Sequence, residues 1–407
     1  MATSTRFCVV ICNLAGTKLK GELSVRGRQV TQNWLYCLLV GVLGLYASTY
    51  QTLVDRLAAR FGLGEQMIGI LLSVYAAGSL CSVLVSGMLS DSMGKRRVVL
   101  CAGLVMCLGL VCAATAGNAL PLFVGLFLTG MGFGPCESIG SALLTDENPG
   151  ASTKWMNISQ ILFGVGAIFA PMAATWYLSR DGATSMGALL ICAGAVFVCW
   201  ALLAVTSKGR LQKPVGVKRE LNLFSVLKKR EFLLYAVMVF LYLCYESVAP
   251  AYFRQLFLSR GSSEGTANLA ISIFWAAMAL LRLVGAFMDG KEKTCIRYLP
   301  PLIAVGVAVA LLAKSDGARL LGVALYGFGC GPVWPMLYVL AAKVSPERSG
   351  AAYATMMLFS MSGNFLSPAL LGSAMNNVEA TFIICGAISL AVAALGWVAA
   401  KKYGRSV

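Results

Sequence analysis

Three ionisable side chains stand within long apolar stretches of this 407-residue chain: Glu137, Glu246 and Arg282. Charged groups are costly in apolar surroundings, so each is a candidate for a functional role. A carboxyl group shielded from water can take up and release a proton near neutral pH, which makes Glu137 a candidate proton carrier. The alternative is a protonated or hydrogen-bonded glutamate that fixes the packing of its helix.

Amide and aromatic side chains form a second group of candidates. An amide both donates and accepts hydrogen bonds and therefore suits ligands rich in hydroxyl groups, such as sugars. Asn157 and Gln160 are three residues apart, on one face of a helix; hydrogen bonding between helices is the alternative role. Tryptophan rings can stack on sugar faces, although aromatic residues more often pack against neighbours. The candidate solute-binding residues are Gln51, Asn157, Gln160, Trp275, Trp334 and Asn364.

Several kinds of chemistry are excluded by residue content. The chain has no histidine, so it cannot build a Ser-His-Asp or Cys-His catalytic site. Its 14 cysteines form no CxxC pair, and most lie in apolar stretches, where they act as small membrane-compatible side chains. A GxxxxGK[ST] phosphate-binding loop is also missing. We therefore expect no enzyme activity, no cofactor, no metal site and no ATP-driven pump.

The composition indicates a membrane protein. Hydrophobic residues make up 58% of the chain and charged residues 12%, with a mean hydropathy of +0.77. A soluble domain has about 25% charged residues, and an apolar helix of about 20 residues spans a bilayer. The predicted fold is an all-α membrane protein with twelve transmembrane segments in two pseudo-symmetric six-helix bundles. The predicted segments are 33–54, 66–89, 98–117, 120–143, 155–178, 184–206, 232–254, 266–288, 298–314, 319–342, 352–374 and 380–400.

The charged residues predict the orientation of these segments. If the N-terminus is cytoplasmic, 25 of the 33 lysines and arginines lie on the cytoplasmic side, as the positive-inside rule requires. The net charge of +16 is thus a topology signal, and no nucleic-acid partner is expected. The predicted parts are a cytoplasmic tail (1–30), the first bundle (31–206), a basic cytoplasmic linker (207–231), the second bundle (232–400) and a cytoplasmic tail (401–407).

An internal repeat relates the two bundles. The pattern GxGxGP occurs at 130–135 and again at 327–332, an offset of 197 residues. Gly166 and Gly363 keep the same offset, and Asp91 and Asp289 differ by 198. Two halves in the same orientation imply a pseudo-two-fold axis along the membrane normal, with a solute site between them near the midplane.

The loop between segments 2 and 3 reads Gly87-Met-Leu-Ser-Asp91-Ser-Met-Gly94-Lys95-Arg96-Arg97. It resembles the hallmark G-x-L-x-D-x-x-G-[RK]-[RK] of the major facilitator superfamily, and a degenerate copy follows segment 8. The resemblance covers residues 31–400 and implies that this loop helps to latch a cytoplasmic gate. The predicted gate residues are Gly87, Asp91, Gly94, Lys95, Arg96, Arg282 and Asp289. For Arg282 the alternative is a solute ligand.

Segments 4 and 5 resemble the fucose permease-like branch of that superfamily. The GxGxGP run followed by Glu137, and the Asn157, Gln160 and Phe163 spacing, carry this likeness. It implies transport of a sugar or sugar derivative, often with proton symport, with Glu137 as the coupling glutamate and Gln160 near the sugar. The branch has a second acid in segment 1, where this chain has none; Glu246, 197 residues after Thr49, is the candidate replacement.

Two other functions stay open. One is a proton-coupled drug or metabolite exporter of the same fold, although Ala170-Pro171 and Leu126 depart from the usual exporter motifs. The other is a transport-dead membrane sensor. The expected setting is the inner or plasma membrane, crossed many times, with both termini cytoplasmic. The expected partners are the bilayer and a small-molecule substrate, with protons as an open possibility, and the expected state is a monomer.

Overall fold

Helices form almost all of the part of the chain that the structure describes. The computed structural model describes residues 2–63, 65–207, 223–372 and 378–403, which form fifteen α-helices and two short 3-10 helices. Most of the predicted basic linker, residues 208–222, lies outside the described residues, as do residues 404–407. The helices are α1 (Ala2–Arg60), α2 (Glu65–Met93), α3 (Lys95–Ala114), α4 (Ala119–Glu147), α5 (Ser152–Leu178), α6 (Ser185–Thr206), α7 (Arg230–Glu246), α8 (Ala249–Ser259), α9 (Glu264–Gly285), α10 (Glu292–Tyr298), α11 (Pro301–Leu312), α12 (Asp316–Cys330), α13 (Val333–Val344), α14 (Ser349–Gly372) and α15 (Val378–Tyr403).

These helices build twelve membrane segments, as predicted. Segments 7, 9 and 10 each consist of two helices, α7 with α8, α10 with α11, and α12 with α13. Within the described residues, ten helical stretches are long and apolar enough to cross a membrane. Segments 7 and 11 are not among these ten. Helix α1 begins at Ala2, upstream of the predicted start of segment 1 at residue 33.

Proline explains two of the interruptions, but the two copies of GxGxGP behave differently. Pro300 and Pro301 separate α10 from α11, and Gly331-Pro332 separates α12 from α13. Proline removes a backbone donor and clashes with the preceding turn. Nevertheless α4 continues through Pro135, the first-half counterpart of Pro332. In the second half, the Nε of Arg282 donates to the carbonyl of Gly331 (3.1 Å); the equivalent first-half position, at the 198-residue offset of Asp91 and Asp289, is Leu84, which offers no donor.

The two halves repeat the same packing. Segment 1 contacts segment 5, segment 2 contacts segment 4, and segment 3 contacts segments 4 and 6. In the second half, segment 7 contacts segment 11, segment 8 contacts segment 10, and segment 9 contacts segments 10 and 12. Segment 2 meets segment 11, and segment 5 meets segment 8, where the halves touch. The sequence repeat therefore corresponds to a repeat in the helix contacts.

Glycines allow the closest of these helix contacts. A Cβ added to Gly166 would overlap the carbonyl oxygen of Gly41 on α1. Its repeat partner Gly363 meets the carbonyl oxygen of Phe240 on α7 in the same way. Small residues let helix backbones approach closely where both partners lie in lipid. The two glycines therefore fix the same helix pair in each half.

The halves join at one end of the molecule, which we call the basic end because the Lys95–Arg97 loop lies there. Asp91 lies in the last turn of α2, and its two carboxylate oxygens accept hydrogen bonds from the backbone N–H groups of Gly350 and Ala351 (both 3.0 Å). Asp289 follows α9 and accepts from the N–H of Thr153 (2.9 Å). Each aspartate thus holds the first turn of a helix from the opposite half, where N–H groups lack partners.

An ion pair lies beside each of these aspartates, with opposite polarity in the two halves. Lys95 pairs with Asp146 at 3.1 Å, and 197 residues later Glu292 pairs with Lys343 at 3.0 Å. Each acid of these pairs also accepts a hydrogen bond from a hydroxyl group of the opposite half. The Oγ of Ser349 donates to Asp146 (2.8 Å), and the Oγ1 of Thr153 donates to Glu292 (2.6 Å). Each half therefore uses the same combination of an ion pair and a hydroxyl contact to bind the other half, with the positions of the acid and the lysine exchanged.

The other predicted loop residues have local roles. Gly87 is buried in α2, and Gly94 has φ of 94°, a conformation that favours glycine. Arg96 is buried and binds Gln32 (2.8 Å) and Glu147 within the first half. Arg96 therefore ties α3 to α1 and α4 and does not reach the second half in these contacts.

A pair of neighbouring glycines on α5 tests the packing. We expect Gly166→Ala to lower the free energy of unfolding by about 1–3 kcal/mol, because the added methyl group overlaps the α1 backbone. A Cβ added to Gly164 would have no neighbouring atom within 4 Å, so Gly164→Ala should be neutral or slightly stabilising. Thermal unfolding of the purified protein in detergent measures both; equal losses for the two variants would contradict the close contact.

A charge exchange tests the inverted ion pairs. Lys95→Glu and Asp146→Lys alone should each lower the melting temperature, because each places like charges together. The double variant should recover most of the loss, because it reproduces the polarity of Glu292 and Lys343 in the second half. A double variant that melts no higher than the worse single variant would show that the first-half polarity is required.

Candidate functional site

A cavity of about 250 Å³ lies between the two halves. Its walls come from segments 4 and 5 of the first half and from segments 7, 8, 10 and 11 of the second. Six predicted residues line it: Glu137, Gln160, Glu246, Trp275, Trp334 and Asn364. The lining also includes Phe163, Tyr242, Leu243, Arg282, Met357, Ser360 and Met361. The structure thus brings together most of the candidates that are scattered along the sequence.

The two glutamates approach the cavity from opposite halves. Glu137 lies on α4, two residues after Pro135, and is 8% exposed. Glu246 is the last residue of α7, where segment 7 is interrupted. Among the described residues, no group donates a hydrogen bond to either carboxyl within the usual distance, and no lysine or arginine nitrogen lies within 4.0 Å of them. Both carboxyl groups are therefore available to a proton or a ligand.

Arg282 differs from its prediction, since it lies in this cavity and not among the contacts at the basic end. Its Nε is anchored on the carbonyl oxygen of Gly331, which the break between α12 and α13 leaves available. Its charge acts on the nearby Glu246 carboxyl and on the hydroxyl of Tyr242. The sequence spacing from Asp289 suggested the gate because that spacing gives a distance along segment 8 and does not show that the Gly331 carbonyl is available as a partner.

The two amides of α5 have different surroundings. Gln160 lines the cavity, and its Nε2 is buried without a hydrogen-bond partner among the described residues. Asn157 donates from Nδ2 to the carbonyl of Thr153 (2.9 Å), one turn closer to the basic end. A Cβ on Gly285 would come within 3.2 Å of the Asn157 Oδ1. Asn157 therefore lies in the contact between segments 5 and 8 and does not line the cavity.

The aromatic side chains of the second half form one wall. The Trp334 ring packs against Tyr338 with centroids 4.1 Å apart, and its Nε1 donates to the Oγ of Ser360 (3.3 Å). Trp275 contacts Phe274 edge to face, with centroids 5.1 Å apart. These contacts hold both indoles in place while one face of the wall remains available to a ligand.

Gln51 was predicted to bind solute but is exposed on α1 and does not line the cavity. Sequence reasoning also missed two tyrosines. Tyr242 lines the cavity one helical turn before Glu246, a spacing that could have indicated it. Tyr75 packs on Phe133 with centroids 5.3 Å apart and interacts electrostatically with Glu137. No sequence pattern links Tyr75 to the site.

Comparisons with known proteins agree with this architecture. Over residues 36–368 the chain matches the family model of the Major Facilitator Superfamily. An MFS-type transporter of Yersinia pestis is 24% identical over 87% of this chain and 92% of its own length. The multidrug resistance protein MdtL of Klebsiella pneumoniae is 23% identical over 88% of this chain and 94% of its own.

A solved structure has the same fold. FucP in the outward conformation superposes with a TM-score of 0.78, covering 91% of this chain and 99% of FucP, at 14% identity. A likeness at this identity concerns the fold. Together with the family match, the twelve segments, the repeated halves and the loop at Asp91 show that the chain is a multi-pass membrane protein that belongs to the Major Facilitator Superfamily.

Proposed function

We propose that this protein is a secondary active transporter of a small polar organic solute, a sugar or sugar derivative, that works by alternating access. The observation that carries the proposal is the cavity between the halves, where two unpaired glutamates, two amides and two indoles meet. Hydroxyl groups of a sugar can both donate to and accept from Gln160 and Asn364. The rings of Trp275 and Trp334 offer apolar faces for the C–H side of the sugar.

The size of the cavity supports a small solute. Its volume of about 250 Å³ lies below the range of about 300–1,000 Å³ that is typical of sites for drug-sized ligands. The fold neighbour FucP is the fucose:proton symporter of E. coli. That likeness supports a sugar only as an analogy, because the substrate depends on the residues of the site.

The excess of basic residues supports a cytoplasmic position of the basic end. In that orientation the contacts of Asp91 and Asp289 close the cytoplasmic side, and the structure represents the state that takes up solute from outside. Release to the cytoplasm requires these aspartates to leave the first turns of α14 and α5. The setting is the inner or plasma membrane, and the working unit is one chain.

Proton coupling rests on the unpaired glutamates. An ionised carboxylate without a partner is unfavourable in the low-dielectric centre of a membrane protein. A proton on Glu137 removes that cost while the cavity closes on the outside and opens to the cytoplasm. Glu246 supplies a second acid from the opposite half, at the position that corresponds to Thr49. A downhill proton flow can in this way drive solute uptake.

A second candidate function is export of cationic drugs or metabolites. It is favoured by the likeness to MdtL along most of both chains and by the two acids, which would attract a cation. In this case lipophilic cations, and not sugars, should raise the melting temperature of the purified protein.

Two glutamines of the first half test the solute site. We expect Gln160→Ala to weaken binding of the responsive sugar at least tenfold, because it removes a donor and acceptor from the cavity wall. Gln51→Ala serves as the matched control and should leave binding unchanged, because Gln51 is exposed outside the cavity. Ligand-induced shifts in thermal unfolding measure both, since a ligand of the folded state stabilises it. Equal losses for both variants would contradict the assignment.

Replacing Glu137 separates coupling from binding. Glu137→Gln keeps the shape of the side chain but cannot exchange a proton, so uptake into proteoliposomes driven by a pH gradient should fall at least tenfold. Sugar exchange without a gradient should persist, because the amide imitates the protonated carboxyl. If gradient-driven uptake persists in Glu137→Gln, another residue carries the proton. The same two assays on Glu246→Gln test whether that residue is Glu246.

A further inference from the structure

Arg282 is the single cation among the described residues that line the cavity. It is 8% exposed, and no carboxylate oxygen of the described residues lies within 4.0 Å of its guanidinium nitrogens. A buried arginine is normally paired, because an uncompensated charge in a low-dielectric site is unfavourable. Glu246 is close enough to interact with the guanidinium electrostatically, but the two make no direct ion pair. A ligand carboxylate could supply that direct partner.

The local structure holds this guanidinium in a fixed direction. Its Nε donates to the carbonyl of Gly331 (3.1 Å) at the break between α12 and α13. The neighbouring Tyr242 hydroxyl donates to the carbonyl of Cys330 (3.3 Å) and also interacts with the guanidinium of Arg282. A guanidinium anchored at Nε and beside Tyr242 is held in a fixed plane, and its remaining N–H groups form a planar set of donors that matches the oxygens of a carboxylate.

The repeat shows that the helix contacts do not demand this residue. At the 198-residue offset of Asp91 and Asp289, the first-half counterpart of Arg282 is Leu84, which is partly buried, and α4 packs without any cation at that point. A purely structural donor to Gly331 could also be neutral. The charge of Arg282 is therefore more than the fold requires, and it faces the same space as Gln160 and Asn364.

We infer that the solute carries a carboxylate that binds Arg282, so that the substrate class is a sugar acid, such as a hexuronate or an aldonate, and not a neutral sugar. The hydroxyl groups of such a solute lie against Gln160 and Asn364, and its C–H groups, or the ring of a hexuronate, lie against the indoles of Trp275 and Trp334. This inference rests on the proposed transport function and specifies its substrate.

Matched ligands test the inference on the full-length wild-type protein in detergent. The pairs are D-glucuronate with D-glucose and D-galacturonate with D-galactose, which differ only in a carboxylate or a CH2OH at C6. The neutral methyl ester of glucuronic acid and the cationic D-glucosamine complete the set, at constant ionic strength. We expect at least one uronate to bind tenfold or more tightly than its hexose and its ester, measured by titration calorimetry.

Two variants locate the carboxylate. Arg282→Gln keeps a donor for Gly331 but removes the charge, so the uronate and its hexose should bind with similar affinity. Arg282→Lys keeps the charge but loses the paired donors, and we expect an intermediate preference. Gln160→Ala should weaken the acid and the neutral sugar alike. Persistence of the full uronate preference in Arg282→Gln would overturn the role of Arg282.

The wild-type protein alone decides the substrate class, even if the Arg282 variants do not fold. Tighter binding of neutral hexoses than of uronates would overturn the sugar-acid inference and leave the proposed sugar transport intact. Binding of lipophilic cations without binding of any sugar or sugar acid would overturn both.

Discussion

Two aspartates hold the first turns of helices from the opposite half, and the arrangement of the cavity depends on these contacts. The N–H groups at a helix start lack intrahelical partners and carry a partial positive charge. Asp91 supplies two acceptors to α14, and Asp289 supplies one to α5. Because both contacts lie at the basic end, they bring the halves together there and leave Glu137, Gln160, Glu246 and Arg282 facing a common space above them.

The ion pairs beside these aspartates show that the same contact can be made with either polarity. The helix dipoles favour only one of the two polarities. Glu292 begins α10 and Lys343 lies in the last turn of α13, so both charges agree with the dipoles of their helices. Lys95 begins α3 and Asp146 lies near the end of α4, so both oppose the dipoles. The first-half pair is therefore held against the helix dipoles by its mutual attraction, by the Ser349 hydroxyl and by the second contact of Lys95, with Asp91 at 3.5 Å.

Much of the fold could be predicted from the sequence because lipid imposes strong constraints on it. Apolar runs of the length of a bilayer indicated the segments, and residues such as Gly166 and Gly363 keep one offset because they fix the same helix contact in both halves. The repeat could not reveal where the halves differ. Pro135 and Pro332 look equivalent in sequence, yet only the second interrupts its segment, and Arg282 of the cavity lining donates to the Gly331 carbonyl at this break.

The candidate site was harder to predict. Helical periodicity shows which residues share a face of a helix, but it does not show which of them lie at the level of the cavity along the helix axis. Asn157 and Gln160 share a face of α5, but three residues correspond to about 4.5 Å along the axis. This distance is enough to place Gln160 in the cavity wall and Asn157 in the contact between segments 5 and 8, nearer the basic end. Gln51 lies on an exposed face of α1, which its residue type alone could not reveal.

The most direct test of alternating access around this cavity is a pair of distances between spin labels, with and without the sugar or sugar acid that binds best. One pair, at Met93 and Glu347, spans the halves at the basic end; the other, at Ser179 and Gly265, spans them at the opposite end. All four positions are exposed, and labels carried by unnatural amino acids avoid the 14 cysteines. The account predicts that the ligand lengthens the first distance and shortens the second. A bound ligand that changes neither distance, or changes both in the same direction, would contradict it.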